Sequence, residues 1–155
     1  MNKILNILPK EANNNYQGSK IAIYGSILFT ALMLFRSYMH LFEAEYAANF
    51  IAHFIVFEET QPNPNSLVYL LFGLWGLEQM ILTLFSSIVL IQYRNLIPLH
   101  LTLWIIEWTF RPIVVANLYP LSEEFFTGST PGKIGTPYVI VFLILMLVLS
   151  LKKKR

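Results

Sequence analysis

The chain has no cysteine. That excludes a disulfide scaffold, thiol redox chemistry and Cys-based zinc sites. Aspartate is missing too, so all nine acidic residues are glutamates. Charge of either sign is scarce: 13% of the 155 residues are charged, against about a quarter in an ordinary soluble domain. So few charges cannot dress a water-facing surface. The formal net charge is only +2 and no basic stripe is long enough for a groove, which argues against nucleic acid as a partner. GxGxxG, Walker, GxSxG and HExxH motifs are absent, so the sequence leaves open whether the protein is an enzyme. No cleavable signal peptide is expected. The first apolar patch, ILNIL, is shorter than the ~7–15 residues such a segment needs, so the first long apolar run should insert and stay.

What fills the sequence is apolar. Hydrophobic residues make up 55% and aromatics 15%, a composition incompatible with disorder. Four runs approach the ~20 residues needed to cross ~30 Å of hydrocarbon. They lie at about 21–42, 67–91, 96–118 and 136–151. The ten-residue alternation of a membrane β-barrel is missing, and isolated strands cannot span lipid. The expected fold is all-α: a polytopic transmembrane four-helix bundle, one domain over 1–155, multi-pass in a cell membrane with the lipid bilayer as its first partner. The fourth run is short and should rely on snorkelling of Lys152 to Lys154.

Basic residues set the expected orientation. With the N-terminus inside, Lys3, Lys10, Lys20, Arg94 and the tail Lys152 to Arg155 are cytoplasmic, and Lys133 alone falls outside. The outer loops then hold Glu45, Glu58, Glu59, Glu123 and Glu124. Both termini are therefore expected in the cytoplasm. Asn95 is placed to cap the third helix, with Pro98 in its first turn. The segment at about 44–58 contains the apolar stretch YAANFIAHFIVF, too short to cross. It reads as an interfacial or re-entrant piece closing the outer face, or else as an extension of the first helix.

Polar residues inside the runs fall at helical spacing. Arg36, His40 and Glu43 follow i, i+4, i+7 on the first span. His100, Trp104, Glu107 and Arg111 do the same on the third, and Trp75, Gln79 and Thr83 form a stripe on the second beside Glu78. At ~1.5 Å per residue, Arg36 stands ~22 Å above the inner edge and Arg111 ~21 Å. Glu107 and Glu78 both lie near mid-depth. A charge inside a span costs at least ~2.5–3.5 kcal/mol, so four such charges should meet rather than face lipid singly. The expected cluster is Arg36, Arg111, Glu78 and Glu107, with Gln79, His40 and Glu43 beside it. Pro112 lacks an amide and should free the carbonyl of Trp108. The three tryptophans read as packing and interface anchors.

Three readings of the cluster stay open. It binds a lipid-like or anionic small molecule (a lipid or quinone, for example) or a partner helix. It belongs to a small transporter or proton-coupled subunit, which would call for a homo-oligomer or a partner membrane subunit. Or it is the site of an enzyme acting on a lipid or quinone headgroup, with Glu78 or Glu107 as base. The structural counterpart of all three is polar glue between apolar helices. No cofactor is implied: His40 and His100 lie at opposite ends, unlike a bis-His haem pair. No metal is expected either, since His40, Glu43 and His53 lack tight ligand spacing.

The stretches NNYQGSKIAIY, FRSYMHLF, LWGLEQ, YRNLIPL and TPGKIGTPY together resemble a group of uncharacterised small bacterial four-helix integral membrane proteins. The resemblance runs from about Asn13 to Leu151. It implies four spans and carries no activity and no site residue. DoxX-like proteins place an arginine near the start of the first span, whereas Arg36 lies near its end, so their redox associations are not carried over.

Overall fold

A computed structural model describes residues 7–152, all helix, turn and loop apart from one isolated bridge. Lys3 and residues 153–155, part of the orientation argument, lie outside the described residues. Four helices are long and apolar enough to cross a membrane. α1 runs over Lys20–Phe42, opened by Ser19, whose side chain accepts from the Ile21 amide at 3.2 Å. α2 runs over Pro64–Gln92, capped by Asn63 with Pro64 in its first turn. α3 starts at Ile97 and is α-helical to Phe110, then widens into a π-turn at Arg111–Val115 and ends at Leu118. The missing amide of Pro112 explains the widening, because the regular i→i−4 bond cannot form there. α4 runs over Pro131–Leu151, beginning well before the expected Thr136 and carrying Pro137 inside it.

The bundle has a turn end, where α1 starts and α2 meets α3, and a loop end with two long connections. Asn95 does not cap α3; Leu96 stands at the cap without a side-chain bond. Asn95 instead clamps the chain before α1. Its Oδ1 accepts from the Asn13 amide at 2.9 Å and its Nδ2 donates to the Glu11 carbonyl at 2.7 Å. At the loop end α1 stops at Phe42. The next residues make a short helical turn, Ala44–Tyr46, and a π-turn, Ala47–Ile51. The chain then extends, and Phe54 bridges antiparallel to Phe126. So 44–58 is not a plain extension of α1. Thr127 donates its amide to the His53 carbonyl at 2.7 Å, where His53 turns the chain at φ 58°. Asn65 pins the same loop, exchanging two 2.9 Å bonds with the Phe57 backbone.

α1 and α2 pack most closely. A Cβ on Gly76 would lie 2.7 Å from the His40 carbonyl carbon, so only glycine lets the backbones approach. α4 packs chiefly on α3, inserting Leu143 and Met146 into the core around Phe29, Met33, Leu101 and Trp104. Apolar side chains cover the outside, and several polar ones are enclosed within the core. Leu28, Leu70, Ile113 and Leu145 point outward and are exposed, while Ser26, Gln79, Thr83, Ser86 and His100 have no exposed surface at all.

Candidate functional site

Two polar nodes sit in this bundle. The first is near the loop end, where α1, α2 and α3 bring two arginines between two tryptophans. The Arg36 guanidinium carbon lies 5.0 Å from the Trp75 ring centre and 5.1 Å from that of Trp108. That of Arg111 lies 4.8 and 4.7 Å from the same two rings. Guanidinium planes stack well on indole faces, and the ring quadrupole attracts the cation most strongly where water is excluded. Arg111 is also ion-paired one turn back with Glu107. Both side chains of that pair are largely buried. Glu107 keeps its Oε2 without a partner, and Arg111 its Nε. Among the described residues no carboxylate or carbonyl accepts from the Arg36 guanidinium. It reaches up to the first turn of α4, where a Cβ on Gly132 would stand 3.9 Å from Nη2.

His40 lies beside this node. A carbonyl can only accept, so its Nδ1 carries the proton and donates to the Arg36 carbonyl at 2.7 Å. The ring stacks on Phe72 with centroids 5.5 Å apart and meets Trp75 edge-on at 4.8 Å. Gln79 is fully buried, and neither of its side-chain heteroatoms has a partner.

Two expected members lie outside the slot between the tryptophans, although Glu78 keeps electrostatic contact with Glu107 and Arg111. Glu78 is exposed and faces a shallow apolar groove of about 440 Å³ among Leu74, Ile81, Phe85 and Leu103. Neighbouring helical residues diverge by about 100°, so only one of Glu78 and Gln79 can join the inward stripe of Trp75, Thr83 and Ser86. Gln79 takes that place. Glu43 is exposed as well. α1 ends just before it, and its backbone (φ −121°, ψ 44°) leaves the helical phase that put it in line with His40.

The second node lies toward the turn end. Ser86 donates its hydroxyl to the Leu82 carbonyl at 2.8 Å. It accepts from Trp104 Nε1 at 2.9 Å and meets His100 Nδ1 at 2.8 Å. A serine has one proton to give, and here it is used. His100 Nδ1 must therefore be the donor, which leaves Nε2 as a bare lone pair. That atom is buried with no partner. The expected cluster omits His100, although its i, i+4 spacing puts it on the same face as Trp104.

Below this node the segment before α1, the α2–α3 turn and the end of α4 frame a polar cavity of about 420 Å³ lined by Lys10, Asn13, Tyr16, Asn95, Pro98 and Ser150. Burial pushes the Tyr16 phenol up to about 12, so it stays neutral and donates to the Ser19 carbonyl at 3.3 Å. No group of three or more potential metal ligands occurs among the described residues. No family model matches the chain, and no curated protein or solved structure matches it.

Proposed function

We propose that this is a multi-pass membrane protein, both termini cytoplasmic, whose loop-end node binds a lipid-like molecule with an anionic head. Four apolar helices with an apolar exterior support the membrane reading, since soluble monomers do not expose apolar surface on this scale. Orientation rests on the basic residues alone. It puts the loop end, with Arg36 and Arg111, in the outer leaflet.

One observation carries the binding role. Of the two guanidiniums, only that of Arg111 is ion-paired among the described residues, with Glu107. Arg36 is left as a cation on two aromatic faces, beside the first turn of α4. An uncompensated charge in apolar surroundings attracts a counter-charge, and a guanidinium fork suits phosphate or carboxylate oxygens. The aromatic faces hold the fork in place without neutralising it. No residue in the node combines a nucleophile with a positioned base, so binding fits better than catalysis.

Native mass spectrometry of protein purified in mild detergent and supplied with phosphatidylglycerol tests this. Wild type should retain one acidic lipid, and Arg36→Met should lose it while remaining folded. Equal retention by the two proteins, or no retention by either, would refute the proposal.

A further inference from the structure

Glu78 is the one residue of α2 with a formal charge, and it stands at the centre of the helix. Fourteen residues precede it and fourteen follow. At ~1.5 Å per residue it lies ~21 Å from either end. In a bilayer that is the midplane, ~15 Å from either surface of the hydrocarbon. A glutamate is too short to reach the headgroups from there, as a longer lysine or arginine can from nearer a helix end. The side chain is nonetheless exposed, on a groove of about 440 Å³ lined otherwise by apolar side chains alone. Phe85, in the same wall, follows Glu78 by seven residues, so the groove runs ~10 Å along α2 toward the turn end. Its volume falls within the roughly 300–1,000 Å³ common for small-molecule sites.

The chain does not balance this carboxyl. Two ion pairs occur among the described residues, Arg111–Glu107 and Lys133–Glu123, and Glu78 is in neither. The charges that act on it from α3 are Glu107 and Arg111, which are paired with each other and largely cancel. Acyl chains cover the leucines of the groove but offer nothing to a carboxyl. A second copy offers nothing better. The exposed cations among the described residues, Lys10, Lys20, Arg94, Lys133 and Lys152, all stand at or beyond helix ends. Arg36 and Arg111 are held between the tryptophans. A lipid ammonium stays at the surface with its headgroup. What suits the groove is a cation that dissolves in hydrocarbon on its own apolar body.

We propose that this groove binds a lipophilic organic cation from within the bilayer, its charge against the Glu78 carboxylate and its apolar body along Ile81, Leu82 and Phe85. Opposite charges attract strongly where the dielectric is low. The groove has no second polar residue to fix a ligand's orientation, so charge and apolar bulk are all it selects. The site shares the membrane reading above and does not depend on the anion at Arg36.

Equilibrium dialysis of radiolabelled tetraphenylphosphonium against the full chain in dodecylmaltoside tests this, with protein-free detergent as the baseline. Wild type should bind the probe saturably. Glu78→Gln should weaken binding about tenfold or more, the loss expected when a contact with an ionised group is removed. Leu74→Lys sets an ammonium one turn away on the same face, a tethered rival for the carboxylate, and should do the same. Arg36→Met should bind like wild type, which separates this site from the anion site. Tetraphenylborate, of the same shape and opposite charge, is dialysed separately and should bind no more weakly to Glu78→Gln than to wild type. Both altered groove positions are exposed, and circular dichroism checks that each variant is folded. Should Glu78→Gln fail to fold, Leu74→Lys decides. The proposal is overturned by wild type binding no more probe than detergent alone, or by Glu78→Gln or Leu74→Lys binding as wild type does. It is overturned in favour of a second copy by a wild-type dimer in light scattering that binds no probe and that Glu78→Leu dissociates.

Discussion

The two polar nodes solve the same problem in opposite ways. Toward the turn end, Ser86, His100 and Trp104 form a neutral hub in which one hydroxyl serves three partners. Nearer the loop end, Arg36 and Arg111 are full charges held against Trp75 and Trp108, with Glu107 paired to Arg111. A neutral hub costs little to bury once every donor has an acceptor. A charged slot is expensive to bury and keeps one cation uncompensated. Stability should therefore depend on the hub wherever a donor can be orphaned, and on the slot only where its ion pair can be broken.

The sharpest way to break this comparison is Glu107→Gln. The amide keeps the shape but removes the carboxylate ion-paired with Arg111. Orphaning one partner of a buried ion pair costs about 3–5 kcal/mol. Thermal unfolding followed by circular dichroism in detergent should show the largest loss of any single conservative change in the bundle. A loss below about 1 kcal/mol would mean that the pair behaves as a surface bridge and that the node is wet.

Ser86→Ala comes next. It strands the Nδ1–H of His100 and the Nε1–H of Trp104 with no acceptor, and each stranded donor costs about 1–3 kcal/mol. His100→Leu should cost less, because Ser86 keeps its bonds to Leu82 and Trp104. If the two variants unfold together, the tautomer assignment at His100 is wrong.

Much of this was legible in the sequence. The four runs stood out by length and apolar content, and the inward stripes of α2 and α3 followed from i, i+4, i+7 spacing. Levelling Arg36 with Arg111 needed only the rise per residue. Other features depended on helical phase. Glu78 and Gln79 differ by one position, and composition favours the charged one as a site; the turn of the helix gives the inside to Gln79. Glu43 left the pattern because α1 ends one residue too soon. Ser26, Thr30 and Ser37 are all buried on α1, yet hydroxyls of that size read as filler in an apolar run. The tryptophans were expected as anchors, and only their faces, invisible in sequence, show that Trp75 and Trp108 hold cations. Asn95 was drawn from its cap by a partner far away in sequence, Asn13.

The smallest effect on stability should come from Arg36→Met, and it separates the two nodes most cleanly. The substitution removes attraction to two indole faces, about 2 kcal/mol where water is excluded. It also removes an uncompensated charge from apolar surroundings, whose desolvation cost is several kcal/mol. The thioether stem fills much of the same space between the rings. These terms oppose each other, so unfolding should shift by less than about 1 kcal/mol, or the variant should gain stability. The Arg111–Glu107 pair, which does not need Arg36, stays intact. A cation that is costly to keep and harmless to remove is retained for what it attracts. Were Arg36→Met instead to cost as much as Glu107→Gln, the slot would be a structural keystone and the contrast between the nodes would vanish.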